Sequence, residues 1–295
     1  MPTAARSHAS TTSLAPGGLP VLYRLTAGAA RLLGASGARI VNRSPIASPL
    51  RHALVRSAPA GLAMVDVCGG RLRGTRMLVD LSCEKYYWLG THEPRVQEWL
   101  AANVPAASVV YDVGAHAGFF TLLCAALAGP DGAVHAFEPR AENVERLRAN
   151  LRANAVPNVT VVAAAAADRT GEVFFVLDSS TLQGRIASHA ASTAAAIVDV
   201  TTIDAHVEGG APPPAVIKID VEGAEGAVLR GAARTIAEHR PLLLIEVHSG
   251  AAGREVVAAL SRAYTFTDLG TGRPVALPPP AGHYVARPAA AGAVR

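Results

Sequence analysis

From Val109 onward the chain alternates so regularly between two kinds of segment that few folds remain open to it. Apolar, strand-sized runs fall at 109–113, 133–138, 159–166, 215–220, 242–247 and around 264–269, and helical stretches at 117–128, 140–154, 224–239 and 252–263 separate most of them. Strands alternating with helices of this length predict an α/β fold with a mostly parallel sheet covered on both faces. The longest apolar runs, such as Val161 to Ala167, are far short of the roughly 20 residues that span a bilayer, so no transmembrane segment is expected. Two strand-like pieces break the rhythm: GEVFFVLD at 171–178, a Ser, Ala and Gly-rich loop at 179–196, and VDVTTID at 198–204. This insertion, 171–204, is where substrate specificity is expected to sit. Ahead of the alternating region, AMVDVC-GG-RLRGTRMLVDL reads as a hairpin around a Gly-Gly turn, and Pro94 opens an amphipathic helix. The expected organisation is a leader at 1–60, a hairpin and helix cap at 61–105, and the α/β domain at 106–290.

Charge is unevenly placed along the 295 residues. Residues 1–60 hold seven arginines and no acid, whereas the remainder carries 20 basic and 23 acidic residues, a net of −3. A nucleic-acid partner needs a basic face on the folded domain, and the basic excess lies outside it, so none is expected. Within the leader, a helix at about 21–33 with Arg24 and Arg31 on its polar side suits weak contact with an anionic membrane surface. The rest of the leader is expected to be poorly ordered. Three cysteines, Cys68, Cys83 and Cys124, follow no metal or CxxC spacing, as expected of reduced thiols in a cytoplasmic protein. The 60 alanines, and the near-absence of lysine (only Lys85 and Lys218), look like the codon bias of a GC-rich genome and carry no functional weight.

The informative element is VVYDVGAHAGFFTLLCAAL, residues 109–127. A strand runs into Asp112, Gly114 and Gly118 flank a tight turn, and a helix follows at once. Dinucleotide-binding proteins place G-x-G-x-x-G here, so that pyrophosphate meets the helix amides. The spacing in this chain is D-x-G-x-x-x-G. A carboxylate beside the turn repels pyrophosphate but suits a ligand carrying an ammonium or a sulfonium, which points to S-adenosylmethionine rather than NAD. Glu138 closes the next strand, placed to accept hydrogen bonds from both ribose hydroxyls. Asp168 follows the third strand, within reach of an adenine edge. Taken singly these have bland readings: Glu138 as a cap for the next helix, Asp168 as a turn residue. In order, on consecutive strand ends, they describe an adenosyl-ligand site.

A second constellation spans VIKIDVEGAE (216–225) and PLLLIEVH (241–248). Lys218 and Asp220 share one strand face, Glu222 and Glu225 follow in the loop and first helical turn, and Glu246 and His248 share a face on the next strand. These strand ends line the crevice where open α/β sheets bind ligands. Three readings stand open for the cluster. A carboxylate or His248 takes a proton from a hydroxyl acceptor. Alternatively, oxygen ligands hold Mg²⁺ or Ca²⁺, although no metal ligand is assigned. In the third, Lys218 and Glu246 form a buried ion pair while Glu225 serves its helix N-terminus.

With these residues in hand, the sequence resembles the FkbM family of S-adenosylmethionine-dependent methyltransferases, in YDVGAHAGFFTL, VHAFEPRAENVERLRANL, VTTIDAH, IKIDVEGAEGAVLRGA and PLLLIEVH, over about residues 84–250. The resemblance implies a class I methyltransferase, Rossmann-like fold: a seven-stranded, mostly parallel sheet whose last strand is antiparallel. It implies O-methylation of sugar hydroxyls or natural-product scaffolds, hence a small-molecule or glycan acceptor. By position, Asp112, Gly114, His116 and Gly118 hold the methionine part of the donor, Glu138 the ribose, and Asp168 lies near adenine. Trp88 and Glu93, in YWLGTHE, match the stretch before the first motif, over the donor pocket. The family commonly has asparagine where this chain has His116; imidazole offers a similar hydrogen bond, so donor binding is expected to survive. Asp220 or His248 is expected to act as base, with Glu222, Glu246 and Lys218 completing the catalytic set. No NPPY-type tetrapeptide follows the fourth strand, which disfavours methylation of an exocyclic amine. The competing functions are another adenosyl enzyme, such as an aminopropyltransferase or a nicotinamide oxidoreductase, and a non-catalytic module of the same fold.

Overall fold

The computed structural model describes residues 61–177, 184–187, 195–260, 263–275, 277 and 279–289. The expected leader, its helix at 21–33 and most of the loop at 179–196 lie outside these residues. The chain forms two compact units, one ending at Pro94 and including residues 152–155, the other comprising Arg95–Leu151 and everything from Val156.

In the first unit, strands β1 (Leu62–Asp66) and β2 (Arg76–Asp80) pair antiparallel, with Leu62 opposite Asp80 and Asp66 opposite Arg76. The connection is wider than the expected Gly-Gly turn. Val67 donates to the Thr75 carbonyl and Gly74 to that of Val67, so the hairpin closes around residues 67–75. Helix α1 (Lys85–Leu89) stops at Gly90, whose φ of 68° few other residues adopt. Gly90 is also required for space, because a Cβ there would meet the Gly69 carbonyl oxygen. Asn154 clips the hairpin by accepting from the Arg76 amide (2.8 Å) and donating to the Arg76 carbonyl (2.7 Å).

The second unit opens with α2 (Pro94–Asn103), which buries Val96, Trp99 and Leu100 on one face. Seven strands follow in one sheet: β3 (Val109–Val113), β4 (Ala133–Phe137), β5 (Val159–Val162), β10 (Val216–Ile219), β11 (Leu242–Val247), β12 (Tyr264–Asp268) and β13 (Gly282–Pro288). Their spatial order is β12-β13-β11-β10-β3-β4-β5. The last strand runs antiparallel between β11 and β12, and the remaining pairings are parallel, as the resemblance implied. Helices α3 (Phe119–Ala128) and α4 (Ala141–Ala153) make the crossovers of the first half. Tyr111, Val113, Ile217, Ile219, Leu243 and Ile245, all fully buried, form the centre of the core.

Three expected elements differ. The run 159–166 is two strands, because β6 (Ala165–Ala166) leaves the large sheet and pairs with β9. With β7 (Gly171–Leu177), β8 (Gly184–Ala187) and β9 (Ala195–Thr201) it forms a separate sheet ordered β6-β9-β7-β8. The strand expected at 198–204 ends at Thr201, since Thr202 caps α5 (Ile203–Glu208) by accepting from the Ala205 amide at 2.9 Å. The helix expected over 224–239 is broken into α6 (Glu225–Arg230) and α7 (Ala233–His239). At the break, a Cβ on Gly231 would collide with the Ala167 carbonyl, and the start of α7 is capped from afar. Asp204 accepts from the Arg234 amide (3.0 Å), the Thr235 amide (2.8 Å) and the Thr235 hydroxyl (2.7 Å).

Beneath the sheet, His135 Nδ1 and His206 Nε2 lie 2.9 Å apart, against the rings of Tyr111 and Phe137. Burial, reinforced by His206, lowers the His135 pKa to about 4, and burial lowers that of His206 as well. An unfolded histidine binds its proton near pH 6.5, whereas the folded one resists it until about pH 4. Stability therefore falls as pH drops through that window, by on the order of 2–3 kcal/mol for His135. Urea unfolding at pH 7.5, 5.5 and 4.5 should show this slope in the wild type and a shallower one in His135→Leu; parallel slopes would exclude the pair as its source.

Candidate functional site

Most of the candidate side chains stand near the carboxyl end of a strand of the large sheet, or in the segment that follows; Asp168 instead follows β6 of the small sheet, and Glu93 lies between two helices. After β3, the chain passes through Gly114 (φ 85°), His116 (φ 50°) and Gly118 (φ 90°). A Cβ on Gly114 would overlap the Asp220 carbonyl oxygen, and one on Gly118 would overlap Leu147 of α4. Both glycines thus permit close packing as well as positive φ. His116 also has a left-handed backbone, which asparagine and histidine tolerate better than most residues. The departure from the family's asparagine therefore preserves the conformation the turn needs.

Four of the five amides in the 114–118 turn are committed to the protein. Gly114 and Ala115 both donate to the Phe137 carbonyl (3.0 Å each), His116 donates to Glu138 Oε2 (2.9 Å), and Gly118 donates to the Ala115 carbonyl (2.8 Å). Such a turn offers few donors to a pyrophosphate. Glu138, buried after β4, accepts two further hydrogen bonds at Oε1, from the Arg140 amide (3.0 Å) and Asn143 Nδ2 (3.2 Å). Burial raises its pKa against the pull of these donors. A carboxylate has about four acceptor positions, so roughly one remains open on Glu138, where the expected pair of ribose hydroxyls needs two.

Asp112 sits lower than expected. It is fully buried, accepts from Thr121 Oγ1 at 2.6 Å, and lies 3.6 Å from Lys218 Nζ. Lys218, 3% exposed, also donates to Asp220 Oδ2 at 3.1 Å and stands 5.0 Å over the Phe120 ring. Lys218 is thus a buried ion-pair residue, but the ion pairs it shows are with Asp112 and Asp220, where the sequence reading has Glu246. Burial alone would raise the Asp220 pKa, but the charge and hydrogen bond of Lys218 outweigh it and bring the carboxyl to about 2.

Asp168 is drawn into a surface network, with Arg230 Nη2 at 3.1 Å and Arg169 Nε at 3.2 Å, while Arg230 also reaches Glu255 at 2.8 Å. Burial works against ionisation of Asp168, yet these arginines hold its pKa below the usual carboxylate value. Glu93 belongs to the first unit, in the turn between α1 and α2, where its Oε1 lies 3.7 Å from His92 Nε2.

The acidic cluster assembles around His248. Its Nδ1 lies 2.6 Å from Oε1 of Glu225, which also accepts the His248 amide (3.2 Å). Nε2 faces Glu222 Oε2 at 3.5 Å, Asp220 Oδ1 at 3.8 Å and Glu246 Oε1 at 3.8 Å. Glu246 Oε2 lies 3.2 Å from His283 Nε2 on the neighbouring strand. The hydrogen bond to Glu225, opposed by burial and reinforced by the charges of Glu222 and Glu246, raises the His248 pKa to about 9. At neutral pH this ring is an imidazolium and cannot accept a proton. Burial, followed by the repulsion of its neighbours, raises the Glu222 pKa despite the opposing charge of His248.

Sequence reasoning placed Glu225 at its helix N-terminus and missed its hold on His248. The signal was present in the three-residue spacing from Glu222 to Glu225, which puts one carboxylate at the mouth and the other fully buried. Glu225→Gln should return the His248 pKa from about 9 toward the ordinary 6.5. Imidazole NMR titration of both proteins measures this, and an unchanged midpoint in the variant would remove Glu225 as the cause.

A mostly parallel sheet with an antiparallel last strand, its glycine turn and acidic side chains gathered at the strand ends, defines a class I methyltransferase fold. The model of the methyltransferase FkbM domain matches residues 112–268, more than half the chain, and the chain belongs to that family. Hexuronic acid methyltransferase AglP of Haloferax volcanii is 30% identical over 164 residues, covering 55% of this chain and 64% of AglP. Among solved structures, methyltransferase FkbM from Methylobacillus flagellatus KT is similar with a TM-score of 0.42 and 19% identity, over 70% of this chain and 53% of that one. Cofactor-bound Rv0187 from MTB matches with a TM-score of 0.42 and 18% identity, over 65% and 79%. The match thus spans less than two thirds of AglP and about half of the Methylobacillus chain. Among the described residues, no helix is long and apolar enough to cross a membrane.

Proposed function

We propose that the protein is an S-adenosylmethionine-dependent O-methyltransferase acting on a hydroxyl of a sugar, glycan or natural-product scaffold. The observation that carries this reading is the order of features on adjacent strand ends: a turn with most of its amides spent, a buried Glu138 with one acceptor position left, and a crevice rich in carboxylates. That donor set fits a cationic adenosyl ligand and opposes a dinucleotide. Family membership supports the methyl-transfer class, and a relative named for hexuronic acid supports a sugar acceptor.

When bound, S-adenosylmethionine supplies a methyl group already activated by its sulfonium. The residues of this chain then need to hold an acceptor hydroxyl in line, exclude water and take one proton. His248 is charged, and Asp220 is held ionised by Lys218 with little proton affinity. Glu222 combines a position at the mouth with a raised pKa, so it is the group that takes the proton from the acceptor oxygen. Asp112, enclosed beneath the turn, acts on the donor through its charge balance with Lys218 rather than by contact.

Calorimetry should show binding of S-adenosylhomocysteine and none of NAD; the reverse would favour an oxidoreductase. With methyl-labelled donor and a pool of neutral glycosides and glycans, Glu222→Gln should lower transfer by about a hundredfold or more. Its affinity for S-adenosylhomocysteine should not change. Wild-type transfer should rise with pH through the raised pKa of Glu222, because the deprotonated form is the active one. Full transfer by Glu222→Gln would assign the base elsewhere.

A further inference from the structure

Oxygen and nitrogen ligand atoms of Asp220, Glu246 and His248 all lie within 4.8 Å of one another. Each of these side chains is half-buried, with 21–25% of its surface exposed, so the group opens toward solvent and is not sealed in the core. His248 is presented in a particular way. Its Nδ1 is held by a fully buried carboxylate, Glu225, so that Nε2 is directed at the three carboxylates in front of it. Metal-binding histidines are commonly oriented by a carboxylate behind the ring, which fixes the tautomer and raises the basicity of the ligating nitrogen. A second observation concerns Glu225 itself. Its side chain is 0% exposed, Oε1 is held by His248, and Oε2 has no hydrogen-bond partner among the described residues. A buried carboxylate with an oxygen unspent favours positive charge nearby, and it stands behind the ring whose Nε2 faces the other carboxylates. The local charge points in the same direction. Lys218 balances Asp112 and Asp220 only in part, and Glu222, Glu225 and Glu246 add three further carboxylates against two imidazoles, His248 and, beside Glu246, His283.

We infer that Asp220, Glu246 and His248 form a binding site for one divalent cation of the Mg²⁺ or Mn²⁺ class, with Glu225 as its positioning residue. Two carboxylates and one imidazole suit such a cation, and three protein ligands leave coordination positions for water or for adjacent hydroxyls of a sugar. As the cation enters, the Nε2 proton of His248 leaves to solvent and the Nδ1 proton stays on the bond to Glu225. Glu222 remains outside the ligand set and keeps its place at the mouth. The use of the cation in orienting an acceptor rests on the methyl-transfer reading, whereas cation binding does not.

Mn²⁺ titration of the full chain, followed by loss of the free-ion six-line spectrum in electron paramagnetic resonance, tests the site directly. One Mn²⁺ should bind per chain and be displaced by Mg²⁺. Asp220→Asn and Glu246→Gln should each weaken binding by about tenfold or more, and Glu225→Gln, which removes no ligand, by about tenfold. Glu238→Gln, on the exposed face of α7, should bind as the wild type does, and circular dichroism should show all variants folded. If the wild type leaves the free-ion signal intact at millimolar Mn²⁺, the site does not exist. If Asp220→Asn and Glu246→Gln fold and bind as tightly as the wild type, the ion lies elsewhere and the inference fails. S-adenosylhomocysteine calorimetry on the same samples separates the two proposals. Mn²⁺ binding without S-adenosylhomocysteine binding overturns the donor reading alone, and the converse overturns only the cation site.

Discussion

One buried ammonium governs the charge of the whole crevice. Lys218 lies on β10 directly opposite Asp112 of β3, in the register that joins the two halves of the large sheet. Taking an ammonium out of water costs several kcal/mol, and two carboxylates together with the Phe120 ring repay it. Removing one partner from such an arrangement typically costs about 3–5 kcal/mol, because the remaining charge is stranded. A compact ammonium can stand between two carboxylates at 3.6 and 3.1 Å, whereas the broad guanidinium fork of arginine has a different reach. That gives a physical reason for one of only two lysines to occur here in a chain otherwise served by arginine. Because the ion faces both inward to Asp112 and outward to Asp220, it ties sheet assembly to the chemistry at the strand ends. Asp220 is left ionised at the mouth, and its charge acts on His248.

The strand ends were legible because hydrophobic alternation and chain direction place them without long-range information. Once six apolar runs alternate with helices, Asp112, Glu138, Asp220 and Glu246 must fall near the carboxyl ends of neighbouring strands. What could not be read was any feature whose cause lies far along the chain. The break between α6 and α7 depends on Asp204, some thirty residues away, and on the carbonyl of Ala167. No local propensity announces it, since both halves are good helix sequence. The split of 159–166 is similar: an uninterrupted apolar run conceals a change of sheet partner from β4 to β9. Within the site, spacing brought Glu138 to its strand end but could not show three hydrogen bonds already occupying it. A side chain's place can follow from local pattern, whereas its remaining capacity to bind is a property of the folded neighbourhood.

The mild acidity of the chain beyond the leader gains a meaning from this arrangement. Five carboxylates gather near the ends of β3, β10 and β11, and of the cations near them Lys218 is spent on holding Asp112 and Asp220. A crevice of this sign attracts cations and repels phosphates, and the committed amides of the Gly114–Gly118 turn act in the same direction. Charge and hydrogen-bond supply are independent properties of the site, and both act against a pyrophosphate.

The histidines show how far the partner, rather than the residue type, decides the role. His135 and His248 are both largely shielded from water, yet their pKa values are moved to about 4 and about 9. His135 meets a second imidazole and aromatic rings, so burial works unopposed and the ring stays neutral through the ordinary pH range. His248 meets Glu225 behind it and three carboxylates in front, and their combined attraction exceeds the same burial penalty. The first is consequently a packing element whose protonation opposes folding. The second holds its proton because the crevice is acidic, at the place where an entering cation would displace that proton from Nε2. The deciding partners lie 71 residues away for His135 and 23 for His248. For histidine, then, function follows from tertiary neighbours, and the charge at a given position is known only once the fold has chosen them.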